Sequence, residues 1–177
     1  KINNKYTKCL QTIKIVTSLS FWILFCFLMT SCNSNNLFDR YTSVDNECNK
    51  NQIISYNFTV NDTLQTKNVY IKVRTSDSYK YSNLFLIVDL KYPNGKIEKD
   101  TLEYMMAQPD GTMLGRGLMS IKEHKLWHKG HDQPFVFSEV GDYTISIHHA
   151  MRALDEVYGI SALEGVLDVG FCIENLE

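Results

Sequence analysis

The sequence predicts an all-β protein, a single β-sandwich of about eight mostly antiparallel strands. Three observations predict it. Apolar and polar residues alternate with a period of two through most of residues 52–173, the pattern of strands that bury one face. Turn residues recur about every ten positions between those stretches. A stretch beginning at Leu84 is apolar on both faces, as a central strand covered on both sides should be.

In 52–60, Ile54, Tyr56, Phe58 and Val60 share one face, and Ser55, Asn57 and Thr59 the other. In 68–75, Val69, Ile71 and Val73 alternate with Tyr70, Lys72 and Arg74. The central strand, 83–92, runs into Pro93-Asn94-Gly95, a hairpin turn in which Asn-Gly readily takes positive φ. Residues 96–104 return beside it with Ile97 and Leu102 as apolar points. Residues 105–117 contain Pro109-Asp110-Gly111 and Gly115-Arg116-Gly117 and read as a long loop. Residues 118–127 fit a strand or a short helix, and His124, Leu126 and Trp127 do not separate the two. A short strand is expected at 135–137 and a strong one at 141–151, where Tyr143, Ile145 and Ile147 share a face. An irregular or short helical connection, 152–164, leads to the closing strand, 166–173. No internal repeat and no second domain are evident.

The 177 residues carry 18 Lys plus Arg against 20 Asp plus Glu, a net charge of -2. That sum hides an asymmetry. Residues 1–31 hold four Lys and no acid, so the remainder has 14 basic against 20 acidic residues and a charge of -6. This balance argues against nucleic acid as a partner. The Lys residues precede an apolar run over 19–29, long enough for a signal-peptide core and short of the roughly 20 residues a spanning helix needs. The run ends in Leu28-Met29-Thr30-Ser31-Cys32, which resembles a bacterial lipobox. The expected organisation is therefore a lipoprotein signal peptide over 1–31, a lipidated polar tether over 32–51, and the sandwich over 52–177. Lipidation falls on the Cys32 thiol, and each acyl CH2 buried in a bilayer contributes about 0.8 kcal/mol to the anchor. The tether docks through Leu37, Phe38 and Tyr41.

Of five Cys, Cys48 and Cys172 remain in the exported domain and form a candidate disulfide, with two unpaired thiols as the alternative. Nucleophile elbows, phosphate loops and dinucleotide fingerprints are absent from the sequence. His148 and His149 are adjacent on a strand and point to opposite faces. His124, His128 and His131 approach ligand spacing, with Glu123 nearby, but lack a complete ligand set; the expectation is no metal and no cofactor. Asp62-Thr63-Leu64 and Asp100-Thr101-Leu102 match a short O-glycosylation acceptor pattern, making Thr63 and Thr101 candidate acceptors.

Several runs resemble the gliding motility lipoprotein GldH family of Bacteroidetes. They are Tyr81-Ser82-Asn83-Leu84-Phe85-Leu86-Ile87-Val88, Tyr92-Pro93-Asn94-Gly95-Lys96, Asp100-Thr101-Leu102-Glu103-Tyr104, and Pro109-Asp110-Gly111-Thr112 with Gly115 and Gly117. Further matches are Ile121-Lys122-Glu123, Lys125-Leu126-Trp127, Gly141-Asp142-Tyr143-Thr144, His149-Ala150-Met151-Arg152 and the terminal Gly165 to Phe171. The resemblance implies a non-enzymatic outer-membrane lipoprotein. It implies a role in gliding motility and type IX protein secretion, through stabilising or assembling other gliding lipoproteins. The family offers no catalytic residues to carry over. The sequence after Cys32 has no acid until Asp39, which leans toward the periplasmic face. The matched loop supplies the candidate partner-contact surface, made of Tyr104, Asp110, Gly111, Gly115, Arg116, Gly117 and Trp127, because long ordered loops on a sandwich commonly carry function. Arg152 is a candidate partner for Asp110 or Asp168. The alternative is a carbohydrate-binding β-sandwich lipoprotein, which calls for a flat row of exposed aromatics drawn from the ten Tyr and two Trp.

Overall fold

The computed structural model describes residues 36–117, 119–154 and 157–176, all within one compact unit, Asn35–Glu177. The expected signal peptide and the Cys32 lipidation site lie outside the described residues. The described residues form ten strands: β1 (Asn36–Ser43), β2 (Glu47–Asn49), β3 (Ile54–Val60), β4 (Lys67–Thr75), β5 (Asn83–Lys91), β6 (Ile97–Met105), β7 (Lys122–Lys129), β8 (Gly141–His149), β9 (Ala162–Glu164) and β10 (Val166–Asn175). One four-stranded sheet runs β1-β10-β4-β7, a second runs β3-β8-β5-β6, and β2 pairs with β9. Every pairing between strands is antiparallel. The chain is all-β, as expected.

The period of two explains the layers. Ile54, Tyr56, Phe58 and Val60 of β3 and Tyr143, Ile145 and Ile147 of β8 turn inward from one sheet; Val69, Ile71 and Val73 of β4 and Val169, Phe171 and Ile173 of β10 turn inward from the other. Together they form one buried core. Ile97, expected as an apolar point of β6, is 59% exposed. It stands beside the turn, where the register places Glu98, opposite Leu90, on the inward face instead.

Three expectations need correction. The tether begins the domain rather than preceding it: residues 36–43 are β1, paired along β10 from Asn36 to Ser43, and 47–49 are β2. Phe38 drives this by packing against Tyr56, Phe58 and Phe171 with ring centroids 6.0, 5.9 and 5.7 Å away. Of the two readings of 118–127 the strand holds, as β7 over Lys122–Lys129. Residues 135–137 form no strand; Phe135 makes a single bridge to Lys67. The candidate disulfide is not formed, and Cys48 and Cys172 are both free, buried thiols. They lie on different sides of a sheet. Cys48 belongs to the core, whereas Cys172 alternates with the core residues Phe171 and Ile173 and so turns to the outer face between Asp39 and Tyr70. Burial pushes the Cys48 thiol up to about 11 and Cys172 to about 12, which leaves both unreactive as nucleophiles near neutral pH.

The strand directions define two ends. Asn36, the β3–β4 connection and the Pro93-Asn94-Gly95 turn lie at one end. The loops 76–82, 105–121 and 150–161 lie at the other.

Candidate partner-contact cleft

The loop between β6 and β7 is built of two small hairpins. In the first, Ala107 bridges Met113, Leu114 N–H donates to Met106 C=O at 2.7 Å, and Gly111 N–H donates to Gln108 C=O at 2.9 Å. Asp110 caps its tip by accepting the Thr112 N–H at 2.9 Å, and that bond holds its carboxyl below the usual range. In the second, Arg116 and Glu123 exchange both backbone hydrogen bonds, at 2.8 and 2.7 Å. Gly115 joins the two with φ +108°, and a Cβ there would lie 2.8 Å from the Glu123 carbonyl oxygen. At Gly117 the packing is tighter, and a Cβ would lie 2.1 Å from the Ile121 carbonyl oxygen. Only glycine fits either position.

These hairpins and the edge of β7 enclose a cleft of about 570 Å³ lined by Met105, Leu114, Gly115, Arg116, Lys125 and Trp127, among others. The structure thus brings together Gly115, Arg116 and Trp127. Tyr104 closes the far side by donating its hydroxyl to the Trp127 carbonyl at 2.7 Å. Asp110 and Gly111 sit at the hairpin tip and do not line this cleft. Sequence reasoning missed Met105, Leu114 and Lys125; treating 122–129 as a strand would have placed Lys125 beside Trp127 along one edge.

The charged groups around the cleft are mostly engaged. Arg74 holds Glu123 at 3.2 Å, and Glu174 holds Lys125 at 2.7 Å. His124 faces inward with its Nε2 3.2 Å from Thr75 Oγ1, and burial lowers its pKa, so it is neutral at pH 7. Arg116 is exposed and has no carboxylate partner among the described ion pairs. Arg152 pairs with neither expected carboxylate: Asp168 faces Arg74 at 3.7 Å, and Asp110 is spent on its own turn. Among the described residues no three of His, Cys, Asp and Glu gather as a metal site.

His128, expected near His124 and His131, is instead sealed between the sheet edges with its side chain 1% exposed. Thr101 is exposed on β6, and Thr63 is partly exposed in the turn where Asp62 accepts the Leu64 N–H. Among the described residues no flat row of exposed aromatics crosses a sheet. On the outer face of the β1–β7 sheet, Arg74 lies over the Tyr41 ring at 4.1 Å and Lys125 over Tyr70 at 4.0 Å. Trp127 leans on Tyr70 with ring centroids 4.4 Å apart and planes tilted by 49°, and it is 36% exposed.

The fold and the cleft together define a β-sandwich protein with a recess at one sheet edge. The model of the GldH lipoprotein family matches residues 36–173, and the chain belongs to that family. It is 40% identical over 157 residues to a protein of Christiangramia forsetii named gliding motility lipoprotein GldH homolog, spanning 89% of this chain and 94% of the relative. It is 40% identical over 152 residues to gliding motility lipoprotein GldH of Flavobacterium johnsoniae, spanning 86% and 92%. Among solved structures, a 4-O-methyl-α-glucuronidase aligns with TM-score 0.36 and 10% identity over 81% of this chain and 17% of its own. The VP2 subviral particle of infectious bursal disease virus aligns at 0.33 and 10%, over 79% and 30%. At these scores neither bears on fold or function.

Proposed function

We propose that this chain is a membrane-anchored lipoprotein that supports gliding motility without catalysis. The observation that carries this reading is the collinear match to the GldH family and to two relatives named for gliding motility. The finer reading follows the same line. The protein is tethered through Cys32 to the periplasmic face of the outer membrane, supports type IX protein secretion, and does so by stabilising or assembling other gliding lipoproteins.

Two features support a contact role. Asn36 comes four residues after Cys32 in the sequence, a span of at most about 14 Å, so the Asn36 end is the tethered one. The 105–121 loop lies at the other end, along strands of nine or ten residues, about 30 Å away. The cleft thus lies at the end of the domain opposite Asn36.

Expression in Flavobacterium johnsoniae cells lacking their own GldH tests the reading. The full chain should restore spreading and secretion. Arg116→Ala combined with Asp110→Asn, which keeps the turn-capping oxygen, should restore less at unchanged protein abundance. Cells that carry the intact, membrane-bound chain yet neither spread nor secrete would overturn the proposal. Protease treatment of intact cells reads the sidedness, since loss of the protein would mean surface exposure.

A further inference from the structure

Among the described residues, the edge of β7 carries a gap in its hydrogen-bond ladder. Glu123 directs both its N–H and its C=O away from β4, because both are exchanged with Arg116. Backbone groups in an antiparallel strand repeat their direction every second residue. Lys125 therefore points its N–H and C=O out of the sheet in the same direction. Two residues further on, the outward Trp127 carbonyl is taken by the Tyr104 hydroxyl at 2.7 Å. Lys125 lies between these two occupied positions.

The register shows what should have filled it. Arg116 faces Glu123 in an antiparallel bridge, so the residue facing Lys125 would be Leu114. Leu114 does not continue the ladder: its N–H is given to Met106 C=O, and Gly115, at φ +108°, turns the chain away. The place of the missing strand is the cleft of about 570 Å³, a volume ordinary for a ligand site. Its walls are apolar at Met105, Leu114 and Trp127, and Met105 is 67% exposed. At one end stands Arg116, the cleft's one cation without a carboxylate among the described ion pairs.

We propose that this notch is a strand-addition site, in which an extended acidic and apolar segment of a partner protein exchanges two backbone hydrogen bonds with Lys125. Its alternate side chains lie on Met105 and Leu114, and an acidic residue reaches Arg116. Strand addition draws affinity from the main chain and specificity from the flanking side chains. An unpaired edge of this kind is ordinarily blunted against other strands; here it is recessed, so only a single narrow strand enters. The inference rests on the reading of this surface as the partner contact and names the chemistry of what docks there.

The test measures amide hydrogen exchange at Lys125 in the full chain in detergent. The probe is a short blocked peptide of alternating valine and glutamate, and the control is the same peptide N-methylated at alternate amides. The peptide should slow Lys125 exchange by about tenfold or more, and the N-methylated peptide should not. Lys125→Pro removes the outward N–H at an edge position where proline is tolerated, and should abolish binding; Lys125→Ala keeps the N–H and should retain it. The N-methylated peptide keeps the test valid on the unaltered chain should Lys125→Pro disturb the fold. Equal exchange with and without peptide overturns the proposal, as does equal protection by both peptides. Slow exchange in the free chain that is relieved by removing residues ahead of Asn36 would assign the notch to the chain's own leader and overturn it. A dimer abolished by Lys125→Pro would assign it to a second copy with the same consequence. Motility is scored separately: a Lys125→Pro chain that binds no peptide yet restores full spreading supports the site and breaks only its link to motility.

Discussion

The sandwich has two long edges, and they are closed by different chemistry. At the β1/β3 edge, Phe38 inserts among Tyr56, Phe58 and Phe171, and the Tyr56 hydroxyl donates to the Val169 carbonyl at 2.6 Å. At the β6/β7 edge, Glu98 and Asp100 point inward to meet Lys129 at 2.6 and 3.0 Å, and His128 lies beside them with neither ring nitrogen hydrogen-bonded. Burial of rings is non-directional and fills whatever space is left. Ion pairs and single hydrogen bonds act only where their atoms meet. The polar edge is therefore shut at Lys129 and at Tyr104 and open between Tyr104 and Arg116. The vacant Lys125 backbone lies on the edge that is clamped rather than filled.

The largest expected contrast comes from removing a ring at the filled edge. Phe171 is fully buried and lies within 6.2 Å of the Phe38, Tyr56 and Phe58 ring centres. Phe171→Ala should cost about 3–5 kcal/mol, read as a lower urea midpoint, and should release β1. No single truncation at the clamped edge should reach that size. If Lys129→Met cost as much, the two edges would not differ in kind.

The clamped edge should instead show its character in pH. Burial, and then the Lys129 cation, lower the His128 pKa to about 4 from an unperturbed 6.5. The unfolded chain thus takes up a proton near 6.5 that the folded chain refuses until about 4, so stability falls as pH drops through that window. Between pH 7 and 5 the loss attributable to His128 is about 2 kcal/mol. His124 and His149 are lowered by burial as well and act in the same direction. Urea titrations at both pH values should therefore show a slope that His128→Phe reduces but does not abolish. An unchanged slope would mean that His128 is not sealed.

The alternating strands were legible in the sequence because each carries its own pattern: β3, β4, β5 and β8 match the expected segments to within two residues at most boundaries. β1 was not, because only Phe38 supplies a large apolar anchor inward, and the strand exists through β10 and the rings around that side chain. The meeting of Gly115, Arg116 and Trp127 along one cleft was legible from the matched loop that carries them. The role of Lys125 was not, since a vacant ladder position depends on where Gly115 turns and where the Tyr104 hydroxyl lands. Neither leaves a mark on residue 125 itself. The Cys48–Cys172 pairing failed for a related reason: composition counts thiols, and the side of the sheet on which Cys172 stands depends on the register of β10.

The smallest change is the most discriminating. Tyr104→Phe deletes one hydroxyl and keeps the ring in the core beside Leu84, its partner across β5 and β6. It should cost about 1 kcal/mol, the net worth of one hydrogen bond. It also frees the Trp127 carbonyl, so the vacant edge grows from one outward residue to two. A strand docking there gains an acceptor, and the alternating valine and glutamate peptide should bind a few-fold more tightly and extend its protection to the Trp127 amide. Stability and binding would then move in opposite directions, which a general loosening of the edge does not produce, because loosening weakens both. A Tyr104→Phe chain that lost stability and bound the peptide more weakly would show that the hydroxyl shapes the notch rather than bounding it.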